Sequence, residues 1–218
     1  MAAHELRTPV QRILGLSEVL LSKEGNIEQY HEVITATTRN AKRLQRLTED
    51  ILDVTRIESR TLKLHKEKVD VSEKISNAIN EIKNHISSTD KLRMVFAEPI
   101  QSLYVKEDKT RPYEILANLL SNAIKFTKKG TISISTDVND NNYVIIAVKD
   151  TGEGINSEIA PRFFTKFTTT SDVGTGLGLY LSKSIVEAHG GIMWAENNPD
   201  GKGATFSFTL PRVSNDTN

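Results

Sequence analysis

Several short segments place side chains where they could do chemistry. HELRTP, close to the amino end, sets His4, Glu5 and Thr8 within little more than one helical turn and follows them with Pro9. His4 and Thr8 are four residues apart, so on a helix they share a face. An imidazole near neutral pH serves as nucleophile or base. Pro9 removes a backbone donor and opposes a helix by about 3 kcal/mol. Such a conflict between local preference and helical pattern points to function. Read alone, the segment is equally an ordinary polar helix start.

Further along, NLLSNAIKF (118–126) puts Asn118 and Asn122 on one helical face, with Lys125 three residues beyond. Amide oxygens are hard ligands that suit Mg²⁺, and a lysine pairs with phosphate oxygens. A polar face on an amphipathic helix explains the same pattern. DTGEGI (150–155) sets an acid at the end of an apolar run, before two glycines that let backbone approach a ligand. By itself it also reads as a plain turn. GTGLGL (174–179) leads into a helical stretch, where backbone donors and partial positive charge suit phosphate. It matches neither G-x-G-x-x-G after a strand nor a P-loop. A flexible loop before a helix is the alternative. GKGATF (201–206) opens the final strand, with Gly203 and Thr205 near a ligand or merely in a β-turn.

These residues need elements to hold them. Apolar residues recur at helical spacing through LRTPVQRILGLSEVLL, and again at Ile34, Ala41, Leu44, Leu47, Ile51, Val54 and Ile57. KEGN joins the two runs, and Asn26 with Gln29 resembles a capping-box start. Residues 1–60 therefore predict a helical hairpin. Helix one spans roughly 28 Å and helix two roughly 50 Å at 1.5 Å per residue, so on the order of 14 residues of helix one are expected upstream of Met1. A two-helix hairpin buries its seam poorly, and two copies make a four-helix bundle; a homodimer is expected.

From about Leu62 the texture changes to short runs, LRMVFAE, TISISTDV, YVIIAVKD, GIMWAEN and GATFSFTL, with helical stretches at about 71–88, 112–127 and 177–189. NDNN (139–142) reads as a hairpin turn. The pattern predicts an α+β chain: the hairpin, then a two-layer α/β sandwich with helices on one face of one sheet. The expected domains are 1–65 and 66–213, with a polar tail at 214–218.

Lys plus Arg equals Asp plus Glu at 28 each, and there is no long basic run, which argues against nonspecific nucleic-acid binding. With no cysteine there are no disulfides, thiolate chemistry or Cys-ligated zinc. No apolar run approaches the roughly 20 residues of a membrane span. A cytoplasmic location is expected, with membrane attachment of a longer parent protein left open. His31 and His65 read as surface or interface residues, His85 as lying on the polar side of its helix, and His189 as a helix C-cap neighbour.

In order, HELRTP, NLLSNAIKF, DTGEGI, RFFTKF, GTGLGL and GKGATF resemble the H, N, G1, F, G2 and G3 boxes of sensor histidine kinases of two-component systems. The resemblance covers nearly the whole chain. It implies a dimerization and histidine-phosphotransfer hairpin, followed by the Bergerat-type ATP-binding fold shared with gyrase, mismatch-repair ATPases and a heat-shock chaperone. It implies His4 as phospho-acceptor, Glu5 orienting or deprotonating it, and Thr8 positioning water for dephosphorylating a partner. The implied cofactors are ATP and Mg²⁺, with Asn122 holding the metal, Asn118 beside it and Lys125 toward the phosphates. Phe126 would pack on adenine, Asp150 would accept its amino hydrogen bond, and Gly152, Gly154 and Ile155 would bring backbone to the nucleotide. Lys166, Phe167, Gly174, Thr175, Gly176, Leu177, Gly178 and Leu179 would form the lid and phosphate end, with Thr205 supporting the adenine side. The implied partner is a response-regulator receiver domain, with an upstream sensor segment outside this chain.

Two departures stand out. The segment between Phe167 and Gly174 is short and carries no arginine or lysine, leaving Lys166 as the nearest cation, and Glu114 stands where many relatives have glutamine. A free-standing ATPase of the same superfamily and a non-catalytic ATP-binding scaffold are the competing readings.

Overall fold

The computed structural model describes residues 2–21, 27–85, 91–97, 101–108, 111–169 and 175–213, apart from the side chains of 2–5, 83–85 and 112. The chain forms two compact units, one of Met1–Leu62 with Thr165–Gly178, the other of Lys63–Phe164 with Leu179–Asn218.

In the first unit, helix α1 (Ala2–Leu21) packs along helix α2 (Ile27–Glu58). Pro9 lies inside α1 without breaking it. Lacking an N–H, it leaves the Glu5 carbonyl without its usual intrahelical donor. Leu47 and Asn40 are buried on α2, and the Asn40 amide donates to the Ala36 carbonyl at 2.8 Å. Asn26, half of the expected capping box, lies outside the described residues.

The second unit is the expected α/β sandwich. Strands β2 (Leu92–Ala97), β4 (Gly130–Val138), β5 (Tyr143–Asp150), β6 (Met193–Asn197) and β7 (Ala204–Pro211) form one sheet in the order β2-β4-β5-β7-β6. The β2–β4 pair is parallel and the rest are antiparallel. Helices α3 (Val71–His85) and α4 (Arg111–Phe126), and α5 (Gly178–Ala188) from Leu179 on, belong to the same unit, interspersed with the strands along the chain. Asp70 caps α3, accepting from Ser72 N at 2.8 Å. Ile115, Leu119 and Leu120 of α4 share one core with Ile134, Ile146 and Phe208 of the sheet. The turn at Asn139–Asn142 closes as expected: Asn142, in the left-handed region at φ 60°, donates to the Asn139 carbonyl at 3.1 Å.

A second, two-stranded sheet was not foreseen. Strand β1 (Lys66–Asp70) pairs antiparallel with β3 (Tyr104–Asp108), putting Val69 opposite Val105. Their sequences, KEKVD and YVKED, are too charged to show alternation. Among the described residues, no helix is long and apolar enough to cross a membrane.

Candidate functional site

Strand β5 alternates strictly, with Val144, Ile146, Val148 and Asp150 buried in turn. Asp150 thus falls on the core-facing phase of its strand and is only 5% exposed. A carboxylate placed there needs donors. Gly152 N donates to its Oδ1 at 2.8 Å and Ala204 N at 3.4 Å. No described residue donates to Oδ2, so that oxygen is left as an open acceptor on an otherwise buried side chain.

The glycines around it are dictated by space. Gly203 has φ +76°, and a methyl group there would collide with the Asp150 carbonyl and meet its Oδ1 at 2.7 Å. At Gly152 a Cβ would meet Asp150 Oδ1 at 2.9 Å and strike the Phe126 carbonyl. The Phe126 carbonyl also accepts from Glu153 N at 3.3 Å, so the end of α4 is held against the DTGEGI loop.

Two asparagines that the sequence reading passed over complete this wall. Asn197 Oδ1 accepts from Ile155 N at 2.6 Å, and its Nδ2 donates to the Ile155 carbonyl at 3.0 Å. Asn198 Nδ2 donates to the Asp150 carbonyl at 2.7 Å, and its Oδ1 accepts the Thr205 hydroxyl at 2.7 Å. Thr205 therefore spends its one donor on Asn198 and faces any ligand as an acceptor. The only sequence signal was a polar pair closing a strand in ENNPDG.

On α4, Asn118 Nδ2 donates to the buried Ser182 hydroxyl of α5 at 2.9 Å, tying the two helices together. Asn122, half-buried, has no hydrogen-bond partner among the described residues. Lys125 Nζ sits 4.9 Å from the centre of the Phe126 ring, and partial desolvation lowers its pKa. Asn118, Asn122, Lys125, Phe126, Asp150, Gly152, Gly154, Ile155, Leu179 and Thr205 all belong to the second unit.

Lys166, Phe167, Thr175, Gly176, Leu177 and Gly178 group instead with the hairpin. Lys166 Nζ pairs with Glu58 of α2, and Thr175 Oγ1 donates to Asp50 Oδ2 at 3.0 Å. Phe167 holds φ 60°, uncommon for a bulky residue, and a Cβ at Gly176 (φ +69°) would fall 2.6 Å from its carbonyl carbon. Gly174 lies outside the described residues. His4 and Glu5 lie on the first turns of α1 with side chains outside the description, and Thr8 is half-buried one turn on.

These groups fit an adenine nucleotide. The open Asp150 oxygen is an acceptor of the kind an exocyclic amine needs, the glycines leave room beside it, and Lys125 offers positive charge. Among the described residues no group of three His, Asp or Glu side chains could hold a metal ion; Asn122 offers an amide oxygen of the kind a hard cation takes.

Comparison with known proteins agrees. Residues 1–60 match the model of the His Kinase A (phospho-acceptor) domain, and residues 107–214 match that of the Histidine kinase-, DNA gyrase B-, and HSP90-like ATPase. Sensor protein EvgS of Escherichia coli (strain K12) is 32% identical over 218 residues, covering 96% of this chain and 18% of EvgS. Sensor histidine kinase WalK of Bacillus subtilis (strain 168) is 31% identical over 220 residues, covering 96% of this chain and 35% of WalK. The chain thus spans well under half the length of these relatives. Among solved structures, the catalytic domain of histidine kinase ThkA is 30% identical with a TM-score of 0.61, covering 68% of this chain and 97% of that one. ThkA in complex with response regulator protein TrrA is 26% identical with a TM-score of 0.76, covering 97% and 60%. Full-length ShkA in complex with AMPPNP is 26% identical with a TM-score of 0.73, covering 98% and 45%.

Proposed function

The chain belongs to the sensor histidine kinases of two-component systems, and on that premise we propose that it phosphorylates itself on His4 from ATP and passes the phosphoryl group to an aspartate of a response-regulator receiver domain. Residues 1–65 then act as the phosphotransfer hairpin, dimeric through its helices, and residues 66–213 as the nucleotide-binding domain. The observation that carries the reading is Asp150: buried, held at one oxygen and open at the other, within a glycine cradle.

The chemistry follows from ordinary imidazole behaviour. A neutral ring has one nitrogen with a lone pair and one with a proton. The lone-pair nitrogen of His4 forms a bond to the γ-phosphorus as the β–γ bridging bond breaks and ADP leaves. Glu5 holds the opposite N–H and stabilises the charge that develops on the ring. Mg²⁺, when bound at Asn122, neutralises phosphate charge. Lys125 draws the phosphates toward the carboxyl end of α4, and Asp150 orients the base. Catalysis of this kind rests on positioning and electrostatics. The phosphoramidate formed is reactive enough to pass its phosphoryl group to a carboxylate. Thr8, four residues from His4, positions water for the reverse task of dephosphorylating the regulator. The likeness to ThkA, solved with its response regulator TrrA, supports the choice of partner.

Incubation with Mg-ATP labelled on the γ-phosphate tests the reading. Label is expected on the protein in an acid-labile, alkali-stable form, and His4→Gln should abolish it while nucleotide binding survives. Labelling unchanged by that substitution would sink the assignment. Steady hydrolysis without protein-bound label would favour a free-standing ATPase, and binding without either would favour a scaffold. The scaffold reading keeps one observation in its favour: Lys166, the nearest lid cation, is paired with Glu58.

A further inference from the structure

The turn after β6 is closed by its own backbone. Asn198 N donates to the Gly203 carbonyl at 3.1 Å, and Gly201 N to the Asn198 carbonyl at 2.9 Å. The Asn198 side chain is therefore not needed only to shape the turn. It is 4% exposed, and its amide bridges three places: the Asp150 carbonyl at 2.7 Å, the Lys202 carbonyl at 2.6 Å and the Thr205 hydroxyl at 2.7 Å. Its orientation is forced. Two carbonyl oxygens demand the NH₂ end, so the oxygen end must receive Thr205.

Asn197 does a parallel job one residue earlier. Its amide meets both the N–H and the carbonyl of Ile155, as a neighbouring strand's peptide group would. Together the two side chains bind the start and the finish of the DTGEGI loop to the β6–β7 turn. The Asp150 carboxylate is then fixed from two sides. Its peptide oxygen is held by Asn198, and its Oδ1 by the amides of Gly152 and Ala204.

We propose that Asn198 is a positioning residue for base recognition: by holding the Asp150 peptide and the Thr205 hydroxyl together, it aims the free Asp150 oxygen at an exocyclic amine. Asn197 supports it by fixing the far end of the loop. This rests on the nucleotide-site reading above and adds a residue that no motif in the sequence marks.

A pair of nucleotides separates positioning from mere structure. ATP carries the exocyclic amine; purine riboside 5′-triphosphate lacks it and is otherwise alike. Binding of each, with Mg²⁺, is measured by calorimetry on the full chain. The unaltered chain should prefer ATP. Asn198→Ala should lower ATP affinity about tenfold, in line with loss of one aimed hydrogen bond to a charged group. Binding of the amine-free nucleotide should change less than about twofold, and Asp150→Ala combined with Asn198→Ala should discriminate no worse than Asp150→Ala alone. Equal losses for both nucleotides would overturn the proposal, leaving Asn198 as a fold residue. If circular dichroism shows Asn198→Ala unfolded, Asn198→Ser carries the same comparison, since it keeps a donor but cannot bridge all three partners. An unaltered chain that binds neither nucleotide would overturn the site reading itself, a result distinct from loss of discrimination in the variant.

Discussion

Glu107 occupies a place that a carboxylate should avoid. It is 2% exposed on β3, directly across from Glu67 of β1. Burial pushes its pKa up to about 8, Asp108 and Glu67 push the same way, and Lys74 of α3 offsets only part. The folded chain therefore holds a proton that the unfolded chain, titrating near 4.5, releases. Between those values folding takes up a proton, so Glu107 makes stability fall as pH rises from 4.5 toward 8. Glu107→Gln is expected to flatten that slope and to stabilise the protein at pH 8 by on the order of 2 kcal/mol. Urea midpoints at pH 5 and pH 8 check this; an undiminished difference in the variant would place the titration elsewhere. His189 works in the other direction. Buried beside Asp108, it accepts from Asp108 N through Nε2 at 3.0 Å and meets the Ile185 carbonyl through Nδ1 at 2.7 Å. Burial lowers its pKa, so it opposes folding as pH falls below its ordinary value. Residues of this kind were legible in unequal measure. Asp150 was legible as an acid ending an apolar run, but alone it read equally as part of a turn, and only the series of motifs gave it a role. Glu107 and Asn198 were not legible, because VKED and ENNPDG read as solvated, and their burial comes from elements distant in sequence.

Among the elements, the helices and the five-stranded sheet were readable because each carries its own period: 3.6 on α2 and α4, 2 on β4 and β5. The β1–β3 pair was not. Each of its strands offers a single well-buried valine, Val69 or Val105, among charges, and pairing supplies the rest. The hairpin's period was readable, and so was the problem it creates. Leu14, Val19, Leu21, Ile34 and Leu52 are 58%, 47%, 79%, 53% and 57% exposed on α1 and α2. On the function proposed above a second copy of the hairpin would cover these side chains, in keeping with the match to the phospho-acceptor domain family. Burying each such side chain is worth about 1.5–3 kcal/mol. Leu14→Asp together with Ile34→Asp is therefore expected to convert a dimer to a monomer by sedimentation velocity at micromolar concentration. A doubly substituted chain that sediments like the unaltered one would move the dimer seam off these residues.

At the scale of the whole molecule, chain order and compactness disagree. Thr165–Gly178 is flanked in sequence by the sheet unit yet groups with the hairpin. The glycine-rich pattern marked this segment for phosphate, and nothing in it names α2 as a neighbour. Its side-chain partners, Glu58 for Lys166 and Asp50 for Thr175, lie 108 and 125 positions away, beyond any local signal. The two contacts are not equal. The Lys166–Glu58 pair is partly exposed, with side chains 32% and 55% accessible, and a surface ion pair of that kind contributes about 0–1 kcal/mol. Asp50 is more deeply placed; burial raises its pKa, and the Thr175 hydroxyl works against that rise by stabilising the charge. A hydrogen bond to a charged, half-buried acceptor is worth about 1.5–3 kcal/mol, so of the two contacts this one holds the segment to α2 more firmly. Asp50→Ala should then speed hydrogen–deuterium exchange in 165–169 and 175–178 by roughly tenfold, each 1.4 kcal/mol being one decade. Exchange in β4, β5 and β7 should stay as it was, because those strands are held by ladders that Asp50 does not touch. Exchange that did not respond to Asp50→Ala would mean that the segment is anchored through its strained Phe167–Gly176 crossing instead, and the substitutions that free it would have to be sought there.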